Sequence, residues 1–275
     1  MRRKNQRNRL TGLNFRRITW PTVLFMVAIH ILAVVALQPQ YWSLGSVVTL
    51  LILYWVTACL GVTLGYHRLL SHKAFTVPQW LARFLATCGA LSAEYGPITW
   101  PGIHRQHHKF SDTDPDPHDM NKGFWWSHMG WMMVDVPAEK NVRKYTADLR
   151  SDPYFRWLDK WFLLLQVPLG LILYSLGGWS LVLWGIPLRL VVVYHVTWLV
   201  NSATHTWGER PFDTEDNSRN NKWVAILTFG EGWHNNHHAY PSSAKQGILP
   251  GQVDLTWYHI VLLKKLGLAT NVRIF

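Results

Sequence analysis

The sequence is short of cysteine, of acid and of charge altogether. Two cysteines in 275 residues, Cys59 and Cys88, lie in apolar stretches without a CxxC partner, which excludes a disulfide scaffold, a thiolate zinc site and an iron–sulfur centre. Charged residues make up 16% of the chain, against about a quarter in ordinary soluble domains. The hydrophobic share of 49% excludes a disordered chain, and the absence of repeats excludes a solenoid or a fibre. What charge there is leans one way: 27 Lys and Arg against 16 Asp and Glu give +11. Two residue types are abundant. The 17 tryptophans point to membrane–water interfaces, and the 14 histidines ask for a chemical reason.

Apolar segments come in pairs. Residues 18–37 and 42–66 are each long enough to cross about 30 Å of hydrocarbon as a helix. A second pair, 157–176 and 179–200, meets at the uncharged Gly177 and Gly178 and contains Pro168 and Pro187, which membrane helices tolerate. The stretch 80–100 is apolar but carries Arg83 and Glu94, and is read as one amphipathic helix at the interface. A mean hydropathy of zero requires a polar part of comparable size. That part is basic and one-sided: 7 Lys and Arg precede the first span, 12 fall between Tyr66 and Trp161, 7 follow Trp207, and neither hairpin tip is charged. Basic loops stay cytosolic. The expected fold is therefore all-α and integral to the membrane, a single domain over residues 1–275. Four transmembrane helices form two hairpins, both termini are cytosolic, and a cytosolic helical cap comprises residues 67–156 and 207–275. The basic segment ending at Arg17 is read as a topology signal on anionic lipid, not as a nucleic-acid arm. A cleaved signal peptide is not expected, because a second span follows the first directly.

The histidines are grouped. His67 and His72 stand in HRLLSH, His104, His107 and His108 in HRQHH, and His234, His237 and His238 in HNNHH. The last two groups share i, i+3, i+4 spacing, which places three imidazoles on one helix face. Asn201 and His205, at i and i+4, close the fourth span, so every group emerges on the cytosolic side. Nine imidazoles exceed what one tetrahedral zinc uses, and imidazole-rich sites suit iron, copper, nickel or zinc; two metals are the economical reading. Asp112, Asp114 and Asp116 begin like a calcium loop, but Pro117 and Gly123 stand where that loop needs Gly and Glu, so calcium is excluded. His30, His195, His128 and His259 belong to no box and are read as structural.

GYHRLLSH at 65–72, HRQHHKFSDTDPDPH at 104–118, NSATHTWG at 201–208 and EGWHNNHHAYP at 231–241 resemble the membrane-bound fatty acid desaturases, specifically the Δ9 branch of cyanobacterial acyl-lipid and animal acyl-CoA enzymes. The resemblance implies a di-iron centre: one iron held by His67, His72, His104, His108 and His237, the other by His107, His205, His234 and His238, with Asn201 orienting a water. Glu231 and His118, the latter in the DPH element, are candidates for supporting the ligands. No organic cofactor is implied. The implied reaction uses O₂ to remove hydrogens from adjacent methylenes of a saturated chain, leaving a cis double bond at Δ9, with an acyl-CoA enzyme or a hydroxylase as alternatives. Two electrons come from ferredoxin or a cytochrome-b5-type protein. The membrane implied is the plasma or thylakoid membrane of a cyanobacterium, or the endoplasmic reticulum of a eukaryote.

The animal acyl-CoA branch carries a basic pair before Gly-Phe; here Asn121 and Lys122 precede Gly123 and Phe124, which favours a glycerolipid-bound acyl chain as substrate. Counting back along the second span from His67, Cys59 and Trp55 lie about 12 and 18 Å deep at 1.5 Å per residue. Trp55, the bulkiest residue there, is expected to floor the acyl tunnel.

Overall fold

A computed structural model describes residues 18–135 and 142–275, so the basic N-terminal segment lies outside the described residues. The described residues are all-helical apart from isolated bridges. Helix α1, Trp20–Ala36, starts with Pro21 in its first turn, where a missing N–H costs nothing. Helix α2, Leu44–Ser71, is capped by Ser43, whose hydroxyl accepts from Ser46 N at 3.0 Å. Its second part, Trp55–Ser71, is π-helical. Then come α3, Gln79–Ala90; α4, Thr99–Phe110; and α5, Phe124–His128. A run from Pro153 to His205 contains α6, Pro153–Trp161; α7, Gln166–Leu183; and α8, Arg189–Ser202. Short α9, Lys222–Leu227, α10, His234–Ala239, and α11, Leu255–Lys265, complete the chain. Asp152, Asn221 and Asp254 cap α6, α9 and α11 by accepting from backbone N–H groups of their first turns.

The four apolar segments all appear as helix. The second runs five residues past its expected end, carrying His67 inside the helix. The helix is broken by a kink within α7 at Gly177 and Gly178, the latter with a φ of 63° that is open to glycine at little cost. The expected amphipathic helix over 80–100 is two helices instead. Ala93 and Tyr95 adopt left-handed φ values of 58° and 75°, and the break turns Glu94 inward and lets α4 begin at Thr99. Leu44–Ser71 and the Pro153–His205 run are long and apolar enough to cross a membrane, and α1 is a shorter apolar helix. Leu24, Ile31 and Val34 of α1, Leu51 and Ile52 of α2, and Leu171 and Ile172 of α7 face outward, a far broader apolar surface than a soluble monomer shows.

Inside, α2 and α3 pack backbone against backbone. A Cβ on Gly61 would stand 2.4 Å from the carbonyl carbon of Cys88 and from Gly89 N. Gly61→Ala is therefore expected to push the two helices apart and cost about 1–3 kcal/mol, read as a lower melting temperature in detergent with the same helix content. The histidines outside the boxes tie the helices together. His30 Nδ1 donates to the Met26 carbonyl at 2.6 Å, which leaves Nε2 of the neutral ring to accept from His195 Nε2 at 3.0 Å. His195 Nδ1 then accepts from His128 Nε2 at 3.0 Å, and His128 Nδ1 lies 2.9 Å from the Ser202 hydroxyl, which donates to the Trp198 carbonyl. Three rings thus link α1, α8 and α5, a structural use in keeping with their place outside the boxes. His259 holds Trp55.

Candidate metal centre

Four elements bring the boxed histidines together: the end of α2 (His67, with His72 just beyond), α4 (His104, His107, His108), the end of the fourth apolar segment (His205) and α10 (His234, His237, His238). They form two clusters. In one, ring nitrogens of His67, His72, His104, His108 and His237 all lie within 4.8 Å of one another; in the other, those of His107, His205, His234 and His238 do. Each helical triplet divides between the clusters, because positions i+3 and i+4 sit on opposite sides of position i.

The ring nitrogens decide whether such clusters suit a cation. His205 Nδ1 meets Asp112 Oδ2 at 2.9 Å and His107 Nδ1 meets Asp116 Oδ2 at 2.9 Å. His238 Nδ1 meets Asp216 Oδ2 at 2.5 Å, and His67 Nδ1 meets Glu231 Oε2. A carboxylate accepts only, so each Nδ1 carries a proton, which leaves Nε2 as the nitrogen whose lone pair each ring can offer inward to a metal. Those lone pairs face one another: His107 Nε2 and His238 Nε2 are 3.4 Å apart. His67 Nε2 lies 3.0 Å from His237 Nε2, which is 2.8 Å from His108 Nε2. Opposed lone pairs repel unless a cation sits among them, and two clusters of nitrogen donors fit two transition-metal ions. Burial, reinforced by the neighbouring rings, holds His72, His104, His108, His234 and His237 well below the usual imidazole range, keeping them neutral and free to ligate.

The supporting carboxylates stay ionised against their burial. Burial alone would raise Asp112, but the hydrogen bond and charge of His205 bring it down to about 2. Glu231 is likewise brought down to about 2, chiefly by Arg68 and His67. Glu231 thus stands beside His67. The His118 ring lies tilted at 4.2 Å from the His107 ring, and its Nδ1, 3.6 Å from Asp116 Oδ1, is buried without a hydrogen bond. Burial lowers His118 to about 3 despite that carboxylate, so the ring is neutral.

Sequence reasoning missed Asp112, Asp116 and Asp216 as partners of the histidines. Excluding calcium left the first two unemployed, and that was the available signal; Asp216, 22 residues before His238, had none. Gln246 was missed too: its Nε2 lies 3.3 Å from His237 Nδ1.

Two apolar cavities adjoin the clusters on one side, and a polar, more open one is lined by His108, His238 and Asp216. Of the apolar pair, one is lined by Glu94, Trp100, Ile103, His104, Thr197 and Asn201 among others, the second by Ala58, Val62, His67, Trp100, Thr197 and Asn201. Asn201 borders both. Trp55 and Cys59 border neither. The Trp55 indole is 40% exposed and hydrogen-bonds His259 Nε2 at 3.2 Å, and Cys59 Sγ packs toward Thr256 and His259. Four residues apart, Trp55 and Cys59 share a face of the π-helical segment Trp55–Ser71, and that face turns to His259 and Thr256, while Ala58 and Val62 line the second cavity.

A family described as Fatty acid desaturase matches residues 42–266. The chain is similar to an sn-1 stearoyl-lipid 9-desaturase of Anabaena variabilis, 53% identical over 258 residues that cover 94% of this chain and 95% of that one. It is 51% identical over 255 residues to an sn-1 stearoyl-lipid 9-desaturase of Synechocystis sp., with coverage of 93% and 80%. With an sn-2 palmitoyl-lipid 9-desaturase of Nostoc sp. it shares 48% identity over 263 residues, with coverage of 94% and 92%.

Proposed function

The chain belongs to the fatty acid desaturase family, and on that premise we propose that it introduces a cis double bond at Δ9 of a saturated acyl chain carried by a membrane glycerolipid. The observation that carries this reading is the pair of imidazole clusters, each backed by carboxylates and each bordering an apolar cavity. His67, His72, His104, His108 and His237 would hold one iron, and His107, His205, His234 and His238 the other. Iron bound there supplies the reduction of O₂ and the oxidising power to break a methylene C–H bond. The chain supplies position. Asp112, Asp116, Asp216 and Glu231 fix the imidazoles through Nδ1, the Asn201 amide orients a water between the cavities, and apolar walls keep bulk water from the reacting carbons.

The surroundings of Lys122 support the glycerolipid carrier. Its Nζ lies 3.5 Å from Asp114 Oδ1, 3.9 Å from Asp119 Oδ2 and 3.2 Å from the Asp114 carbonyl, so the one base before Gly123 is already engaged. The four apolar segments are read as spans in two hairpins, with both termini and the cap of residues 67–156 and 207–275 in the cytosol. Electrons come from an acidic soluble carrier, ferredoxin or a cytochrome-b5-type protein, steered by the basic cytosolic face. Expression in a host without Δ9-unsaturated lipids, followed by positional analysis of the lipid acyl chains, tests the reading. Δ9 monounsaturated chains on glycerolipids are expected, and hydroxylated chains or products confined to acyl-CoA would refute it.

Chain length is set by the α2 face that lines the second cavity. Ala58→Phe is expected to favour shorter chains without moving the double bond, while Trp55→Ala leaves the chain-length profile as it was. The reverse pattern in product chromatography would return Trp55 to the tunnel.

A further inference from the structure

Glu94 lies in the break between α3 and α4, 8% exposed, on the wall of the cavity that also holds His104 and Asn201. A carboxyl in such a place ordinarily has a cation beside it. This one has neutral partners: Oε2 accepts from Trp100 Nε1 at a long 3.4 Å, the Thr197 hydroxyl also reaches the group, and Oε1 is buried with no partner. The groups packed around it offer no compensating charge. Tyr66 of α2 and Tyr194 of α8 give their hydroxyl protons to the carbonyls of Tyr95 and Ala93. Arg189 is spent on the Leu91 and Gly185 carbonyls and on Gln166, Asp159 of α6 holds the first turn of α4, and Met26, Trp131 and Met132 bring no charge. His104 and His118 share the cavity as neutral rings.

We propose that Glu94 is a positioning residue that works as a neutral carboxylic acid, and that an acyl chain occupies the cavity beside the histidines only while Glu94 is neutral. The proposal rests on the acyl-chain reading of the cavity. An alkyl chain laid against Glu94 removes whatever water an ionised carboxylate would need, and a bare charge against hydrocarbon costs far more than the chain gains from its own burial. The neutral acid has no such debt and keeps its hydrogen bonds to Trp100 and Thr197, which fix the wall shared by the two cavities. Burial already pushes the group up to about 8 without any chain present. Proton loss above that value closes the cavity to substrate, so chain binding and alkaline pH compete.

The test compares the metal-loaded full-length protein with Glu94→Gln, an amide of the same shape that never ionises. Both are reconstituted in glycerolipid vesicles with a reduced ferredoxin, across about pH 6 to 10. Each is normalised to its own turnover at neutral pH. In the wild type the apparent KM for acyl lipid is expected to rise about tenfold per pH unit above about 8 while kcat holds, and in Glu94→Gln that rise is absent. An infrared difference spectrum supplies a readout that does not depend on turnover or on the variant. The wild type is expected to show the C=O stretch of a protonated carboxyl at neutral pH, lost on the alkaline side and shifted in heavy water. The same alkaline rise in KM in Glu94→Gln, or no protonated-carboxyl band at neutral pH, overturns the proposal. A wild type that turns over no acyl lipid at any pH while showing the band overturns the acyl-chain reading on which it rests.

Discussion

Alanine at His237 is expected to abolish desaturation and to lower bound metal from about two ions per chain to about one, while the protein still inserts and keeps its helix content. His237 is the hub of the five-imidazole cluster. Its Nε2 touches those of His67 and His108, it packs 4.6 Å from the His72 ring, and the side chain is fully buried. Changes in the groups behind a ligand commonly cost about 10 to 100-fold in metal affinity, so losing the ligand itself should exceed that. The fold has little reason to fail: α10 is six residues long, and its position rests on Asn235 and Asn236, which bond to Asn220, Phe212 and Gln246 independently of the imidazoles. Metal analysis and turnover on the same preparation decide the matter. Unchanged iron content with unchanged activity would remove His237 from the ligand set.

Why some of this centre was legible before any coordinates is a matter of range. The i, i+3, i+4 spacing of His104, His107 and His108 is a local property of a helix, and α4 and α10 carry the two triplets as helices. Spacing alone announced convergence but not partition; that each triplet would divide between two ions came from resemblance to the desaturases. Asp216 shows the opposite limit. It reaches His238 because the loop through Thr214 and Ser218 folds back on Asn235, a set of contacts no local pattern records. The break after α3 was hidden for a related reason, since an apolar stretch with two charges satisfies an amphipathic helix, and only the buried wall around Tyr66 and Tyr194 gives Glu94 somewhere else to go. At Trp55 the spacing set a depth and left the rotation of the helix open, and the indole turns to His259.

Arg68→Ala is expected to destabilise the protein by about 3–5 kcal/mol, the usual consequence of stripping one partner from a buried ion pair. Arg68 is 1% exposed and divides its guanidinium between two acids. Nε and Nη2 donate to Glu231 Oε1 at 3.0 and 2.8 Å, and Nη1 donates to Asp254 Oδ2 at 2.9 Å and to the Ala244 carbonyl at 2.8 Å. Asp254 caps α11 through Trp257 N and accepts from Gln246 N, while Glu231 holds His67. One side chain therefore fixes a helix, a loop and a metal ligand. Without it, two carboxylates are left in an enclosed space with no cation, and Glu231 relieves the repulsion by taking a proton. Glu231 then no longer fixes the His67 tautomer, so metal affinity falls by about 10 to 100-fold on top of the stability loss. Lysine at the position restores charge but not the fork, since a single ammonium is a point donor and cannot span both acids in the same geometry. The two consequences separate in a second variant. Adding Glu231→Gln to Arg68→Ala removes one of the stranded charges and should recover part of the stability, yet it leaves His67 without its carboxylate, so metal retention stays low. Thermal unfolding of the metal-free proteins reads the first effect and iron retention against a chelator reads the second. If both recover together, or if Arg68→Ala unfolds at the wild-type temperature, Arg68 does not couple the centre to the fold.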